Sequence, residues 1–224
     1  MKKLMVGVLT GFKFENRRQR CCATWICDIE KYHNIDWVFL FGVPQKKSAE
    51  RIGHCLFLPA PDNYQHLCIR TREMCRWAVT QRDWDYFAKI DDDCRLSVPR
   101  LVELVDGLTD EQYIGYPIIE RARADGSVCG HDTARLNIDA NCPCYASGNG
   151  YIFGRQAAEC LAENLCPSDF DDTPEDMAVG RIMRKFKIKT RWERQRFHVL
   201  ARPGEQPGPE NHWVYASPCD RSDQ

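Results

Sequence analysis

Three consecutive carboxylates, Asp91, Asp92 and Asp93, follow directly on the apolar run Tyr86–Ile90. Adjacent like charges repel, and no local cluster of arginines stands beside them to absorb the repulsion. A hard divalent cation, Mn2+ or Mg2+, would absorb it through oxygen ligands. Such a cation keeps one or two protein carboxylates and draws its remaining ligands from water and substrate phosphates. The triplet therefore predicts a diphosphate-bearing substrate. The alternative is a solvated acidic turn that caps the helix starting near Pro99. Lys89 stands two residues before Asp91, on the same face of an extended strand, where it meets a phosphate or pairs with an aspartate. Arg17 and Arg18 follow the first apolar run, at the end of a strand where α/β sheets bind nucleotide phosphates, or else form a solvated helix face. In the segment SGNGY, Gly148 and Gly150 lack a Cβ, which either lets backbone approach a ligand or makes a tight turn. Asp172, Thr173, Glu175 and Asp176 have the composition of a helix start, where negative charge is favourable.

These residues need a scaffold, and the hydrophobic pattern supplies one. Short apolar runs at 4–12, 36–44, 54–62 and 85–90 have the length and β-branching of buried strands. Between them, 15–32 reads as a helix with Asn16 at its cap. Residues 63–81 read as a long amphipathic helix with Leu67, Thr71, Met74, Cys75 and Ala78 on one face. Strands alternating with helices predict an α/β fold with a mostly parallel central sheet. A helix at 98–108 with Pro99 near its start, a strand at 113–119 and helices at 155–164 and 175–188 continue the pattern. Residues 121–150 read as loop, and 202–213 as a Pro/Gly loop. One continuous domain over 1–224 is expected, with a nucleotide-binding half at about 1–95 and an acceptor-binding half at about 96–224. The triplet then sits beyond the carboxyl end of its strand, where open α/β sheets bind ligands.

With 31 basic and 32 acidic residues the net charge is −1, so no global field favours nucleic acid or an acidic membrane. Thirteen cysteines cannot all pair within one chain. Most lie inside apolar or helical runs, as reduced small hydrophobes do. Cys142-Pro-Cys144 is the likeliest local exception, and its spacing is wrong for a structural zinc pair. A cysteine-rich zinc protein is disfavoured on that spacing. A phosphate-ester hydrolase lacks a partner motif such as a P-loop or a histidine pair. No run of about 18 apolar residues predicts a membrane span, and the N-terminal apolar run is too short for a signal peptide. A soluble, cytoplasmic chain is the expectation.

Six blocks, in order, resemble glycosyltransferase family 31, the β-1,3-galactosyltransferase and Fringe-like enzymes of GT-A fold. They are RRQRCCATW with Arg17, Arg18, Thr24 and Trp25, then WVFLFG, and then PDNYQHLCIRT with Asp62, Tyr64, Leu67, Arg70 and Thr71. There follow WDYFAKIDDD, CPCYASGNGY with Tyr145, Ser147, Gly148, Gly150 and Tyr151, and PEDMAVG with Glu175, Asp176 and Gly180. The likeness runs from about residue 4 to 190. Cys22 departs from the pattern, since the family usually has a second arginine there, and this weakens transfer of a phosphate-binding role to that position.

The resemblance implies transfer of a sugar, of galactose or N-acetylglucosamine type, from a nucleotide-diphosphate donor to a glycan hydroxyl with inversion. The donor it implies is UDP-linked. It assigns Asp93 as the main metal ligand, Asp91 as a metal and donor contact, and Asp92 as a ribose or water contact. It assigns Asp176 as the base that takes the acceptor proton, and Gly148 and Gly150 to the wall around the donor sugar and acceptor. Asp62 falls where it can meet the nucleoside base. A C-terminal histidine often completes the metal site in GT-A enzymes; His212 is the better placed candidate here and His198 the other. The reading from another class is a non-catalytic nucleotide-sugar or carbohydrate-binding module on the same scaffold.

Overall fold

The computed structural model describes residues 1–122, 128–132, 143–166, 173–193 and 214–216. The chain forms a single α/β domain around one large sheet. The strands are β1 (Leu4–Leu9), β2 (Ile35–Gly42), β3 (Glu50–Ile52), β4 (Cys55–Leu58), β5 (Tyr86–Asp91), β6 (Cys94–Leu96), β7 (Tyr113–Ala122), β8 (Val128–Asp132), β9 (Cys144–Gly154), β10 (Thr190–Trp192) and β11 (Val214–Ala216). Nine of them pair in the order β10-β7-β9-β5-β1-β2-β4-β3, with β8 on β7, and β6 and β11 form a separate antiparallel pair. The segment β5-β1-β2-β4 is parallel, whereas β9 runs antiparallel to both β5 and β7. The sheet is thus mixed rather than mostly parallel.

The helices are α1 (Glu15–Cys21), α2 (Cys27–Ile29), α3 (Leu67–Thr80), α4 (Val98–Asp106), α5 (Arg155–Asn164) and α6 (Glu175–Lys185). A π-helical segment, Cys22–Ile26, joins α1 to α2. All six residues of β1 are buried, and they alternate between two cores. Leu4, Val6 and Val8 pack with Trp25, Ile29, Leu101 and Leu104 on the α1, α2 and α4 side. Met5 and Leu9 pack with Met74, Ala158, Leu161 and Val179 on the α3, α5 and α6 side. Period-two alternation on a strand with helices on both faces explains why these runs are apolar throughout.

Two local expectations change. Helix α1 starts at Glu15 after Phe14 with no side-chain cap, so Asn16 lies inside the helix. Within the segment read as loop, 121–150, Val128–Asp132 form strand β8 and residues 144–150 belong to strand β9, which pairs with β7 and, from Gly150 on, also with β5. Its small residues sit where the pairing with β7 shifts register, between Gly115↔Tyr151 and Pro117↔Ala146. Three more residues lie between the paired positions on β9 than on β7, and Ser147–Gly150 form this bulge. The polar, glycine-rich composition reports the bulge and hides the strand. Among the described residues no helix is long and apolar enough to cross a membrane.

Candidate functional site

A cavity of about 510 Å3 opens at the carboxyl ends of the parallel strands. Thr10, Lys13, Phe14 and Arg17 line it after β1, Asp62 and Tyr64 after β4, Arg70 from α3, Asp91 at the end of β5, and Asp92 and Asp93 after it. Every lining residue precedes position 94, whereas Gly148 and Asp176 come from later elements. The lining carries both cations (Lys13, Arg17, Arg70) and carboxylates (Asp62, Asp91, Asp92, Asp93), which suits a polyanion carried with a metal ion.

The three aspartates are not equivalent. Asp92 is 4% exposed and turned into the protein. Thr10 Oγ1 donates to its Oδ2 at 2.6 Å, and Arg17 Nη1 lies 3.2 Å from its Oδ1. Its backbone N–H donates to Leu9 O, and Cys21 Sγ contacts its carbonyl at 3.3 Å. Burial raises its pKa, and the Thr10 hydrogen bond and the Arg17 charge oppose the rise. Asp92 therefore fixes Arg17, whose guanidinium also lies 4.3 Å from the centre of the Phe14 ring. The ribose or water contact expected of Asp92 competes with these bonds. Asp91 pairs with Lys89 at 2.7 Å, and its side chain keeps a third of its surface exposed. Burial, with a further push from Asp93, raises its pKa against the pull of Lys89. Asp93 accepts only a weak contact from the Cys94 thiol, at 3.6 Å, and has no cationic partner among the described residues. The triplet does not cap α4, because β6 intervenes and Ser97 occupies the cap position.

Arg18 does not line this cavity. It donates to Gly11 O, to Phe12 O at 3.2 Å and to Thr10 Oγ1 at 3.4 Å, and it stacks over Phe41. Its donors are spent on the loop after β1. Asp62 accepts from the Phe12 N–H at 2.9 Å and lies 3.6 Å from Arg70, so much of its capacity is also used inside the protein. Arg70 is 4% exposed and donates to Thr10 O and to Leu40 O at 2.7 Å. It thereby ties the ends of β1 and β2 together beneath the cavity.

The second part of the site is built on β9 and α6. Gly148 N donates to Asp176 Oδ2 at 2.9 Å, and Met177 N donates to Oδ1 at 2.9 Å. Burial, with a further contribution from Glu175, pushes the Asp176 carboxyl up to about 6 against Lys89 and these two N–H groups. Gly180 allows α6 this approach: a Cβ there would lie 2.2 Å from Tyr145 Cβ on β9. Glu175 is buried and accepts from Thr71 Oγ1 at 2.6 Å and from Tyr151 OH. These tertiary bonds exceed what helix-start charge alone would require. Gly150 is buried opposite Ile90, in the strand rather than at the cavity.

Lys89 joins the two parts. It is 1% exposed, and its ammonium meets Asp91 at 2.7 Å, Gly148 O at 2.8 Å and Glu175 at 3.6 Å. Burial opposes its charge, but Asp91 and Glu175 outweigh that and hold its pKa above the usual lysine range. Pairing with an aspartate, one of the two readings open from sequence, is what the structure shows.

No group of three or more His, Cys, Asp or Glu side chains able to hold a metal occurs among the described residues. His212 and His198 lie outside them. The oxygen-only pair Asp91 and Asp93 fits a hard cation that completes its shell with phosphate and water. The unneutralised Asp93 carboxylate is the feature that asks for one. Cys94, buried beside it, has its pKa raised by burial and by Asp93, so it is a thiol and not a competing soft ligand. Sequence reasoning passed over Thr10, Lys13 and Phe14, in the loop after β1, and, although it named Thr71 and Glu175, it missed that they bond to each other across 104 residues.

A family model described as Galactosyltransferase matches residues 16–194. Hydroxyproline O-galactosyltransferase GALT2 of Arabidopsis thaliana is 26% identical over 171 residues, covering 71% of this chain and 25% of the relative. The chain thus spans about a quarter of the length of that curated relative. Among solved structures, a 4-diphosphocytidyl-2C-methyl-D-erythritol synthase from Anaerococcus prevotii superposes with a TM-score of 0.51 at 10% identity, over 86% of this chain and 88% of that one. A glycosyltransferase involved in glycosylation of the major capsid of PBCV-1 gives 0.48 at 10% identity, over 85% and 81%.

Proposed function

The chain belongs to the galactosyltransferase family, and on that premise we propose that it moves a galactose- or N-acetylglucosamine-type sugar from a nucleotide-diphosphate donor to a glycan hydroxyl, with inversion. The observation that carries the reading is the pairing of a cavity ending in Asp91 and Asp93 with a buried, proton-avid carboxylate, Asp176, linked to it through Lys89.

Lys13 and Arg17 line the cavity where a donor diphosphate would lie, and Arg17 is steadied by Asp92 and Phe14. Phe14, Asp62 and Tyr64 line the remainder, which suits a uridine-type nucleoside. Asp91 and Asp93, with His212 as a further ligand, would hold Mn2+ or Mg2+. Bound there, the cation would offset the charge that builds on the departing diphosphate. Asp176 takes the proton from the acceptor hydroxyl. The hydroxyl oxygen forms a bond to the anomeric carbon as the bond from that carbon to the diphosphate oxygen breaks on the opposite face, and the anomeric configuration inverts. A pKa near 6 suits this work, because the carboxylate is mostly ionised at neutral pH yet basic enough to accept a proton. Gly148 presents Asp176 through its N–H and leaves room beside it.

The test is a screen of nucleotide sugars for a Mn2+-dependent rise in Tm and for donor hydrolysis. A thermal shift with UDP-galactose or UDP-N-acetylglucosamine that needs Mn2+, together with UDP release, supports the proposal. Failure of every nucleotide sugar to bind, with or without metal, refutes it. Binding without turnover under any acceptor would favour the non-catalytic module.

A further inference from the structure

Resting on that reading, we infer that Lys89 is the positioning residue that sets the catalytic carboxylate against the cation-binding pair, so that both halves of the reaction share one buried cation.

The Lys89 ammonium sits among three acceptors on three elements, two at hydrogen-bond distance and Glu175 in a longer ion pair at 3.6 Å. These are Asp91 at the end of β5, the Gly148 carbonyl in the β9 bulge and Glu175 at the start of α6. The same peptide segment that gives its carbonyl to Lys89 gives its Gly148 N–H to Asp176. The next residue in the chain after Glu175 is Asp176 itself. Lys89 therefore meets both residues that flank the Asp176 carboxylate, Gly148 and Glu175, while its ion pair with Asp91 holds a cavity carboxylate. Tyr151 supports the arrangement, with its ring 5.4 Å from Nζ and its hydroxyl on Glu175. Thr71 fixes the same Glu175 oxygen from α3.

The arrangement has a consequence for Asp91 as well. An ammonium that bonds Asp91 competes with a divalent cation for the same carboxylate. Removing Lys89 frees Asp91 for metal while it releases the β9 bulge and α6. Metal affinity and turnover then move in opposite directions. A residue with a merely structural role would lower both.

The experiment compares wild type, Lys89→Met and Gly148→Ala for Mn2+ affinity measured with the metal alone, and for Mn2+-dependent UDP-galactose hydrolysis as kcat and KM. Methionine keeps the buried length without charge or donors. In Lys89→Met, the expected result is Mn2+ binding that is unchanged or tighter by roughly three- to tenfold, with kcat lower by about 100-fold or more. Removing one partner from a buried ion cluster can unfold a protein, and Gly148→Ala guards against that outcome. Its new Cβ would stand 3.0 Å from Asp176 Oδ2 and leave Lys89, Asp91 and Asp93 in place. It is expected to lower kcat roughly tenfold or more with Mn2+ affinity and donor KM within about twofold of wild type. Retention of kcat in folded Lys89→Met overturns the inference. So does a parallel fall of Mn2+ affinity and kcat, or, if Lys89→Met does not fold, an unchanged kcat in Gly148→Ala. Absence of donor hydrolysis and of metal-dependent donor binding in the wild type itself would overturn the functional reading beneath it, a result distinct from all of these.

Discussion

Gly148 and Asp176 meet with the glycine N–H 2.9 Å from the carboxylate Oδ2, and a side chain on residue 148 would press on that same oxygen. The contact brings a β9 bulge against the first turn of α6 and fixes a carboxylate whose pKa is pushed up to about 6, mainly by burial. A base must be ionised to work. Turnover is therefore expected to rise about tenfold per pH unit below 6 and to level off above it. A pH profile of kcat checks this, and a flat profile between pH 4.5 and 7 would contradict it.

The same shift predicts a stability effect with a defined sign. Folding raises the Asp176 pKa from 3.8, so its stabilising protonated form is fully present below pH 3.8, and that stabilisation is lost as pH climbs through about 6. Asp176→Asn does not titrate. Its stability relative to wild type should therefore improve between pH 4 and 7 by about 1–3 kcal/mol, allowing for the solvent that still reaches the side chain. Urea unfolding of both proteins across that range measures the difference.

Asp92 and Asp93 are expected to separate cleanly. Asp92→Ala leaves Thr10 and Arg17 without a shared acceptor in a buried position and should cost about 2–4 kcal/mol. Asp93→Ala removes a carboxylate with only a weak thiol contact and should change stability by less than about 0.5 kcal/mol. It should nevertheless abolish the Mn2+-dependent thermal shift. Chemical denaturation and metal titration of the two variants give both readings.

Packing of α6 on β9 depends on the missing side chain of Gly180. Alanine favours helix by about 1 kcal/mol over glycine, yet its Cβ would overlap Tyr145. The clash is expected to win, with Gly180→Ala less stable by about 1–3 kcal/mol and slower in turnover because α6 carries Asp176. A thermal melt with an activity assay tests both.

The cysteines are expected to sort by exposure. Cys21 and Cys68 have thiols pushed up to about 12 by burial, while Cys75 and Cys94 are wholly buried and also raised. Cys22, Cys27 and Cys166 are exposed. Thiol reagent followed by peptide mapping should label these three in the native protein and reach Cys21, Cys68, Cys75 and Cys94 only on unfolding.

Much of this architecture is legible in residue pattern alone. Strands β1, β2, β4 and β5 lie in near-continuous apolar runs, and α3 and α6 show clear amphipathic periodicity. The acidic triplet falls at a strand end by simple counting. Strand β9 escapes because its glycines and asparagine serve a bulge, while its pairing partners stand 25 to 68 residues away. Strands β3, β6, β10 and β11, at three residues each, carry too little alternation to register. The division of labour among the aspartates is equally nonlocal. Asp92 turns inward because Thr10, 82 residues earlier, directly follows the neighbouring strand. Glu175 looks like helix-start charge until Thr71 and Tyr151 are seen to enclose it.

The most direct test of a carboxylate base acting beside a metal-bound donor is the Mn2+-dependent release of UDP from UDP-galactose by wild type and Asp176→Asn, with donor Kd measured on both. The account predicts a fall in kcat of about 100-fold or more with donor Kd within about threefold. Full turnover by Asp176→Asn, or donor binding lost along with turnover, would contradict it.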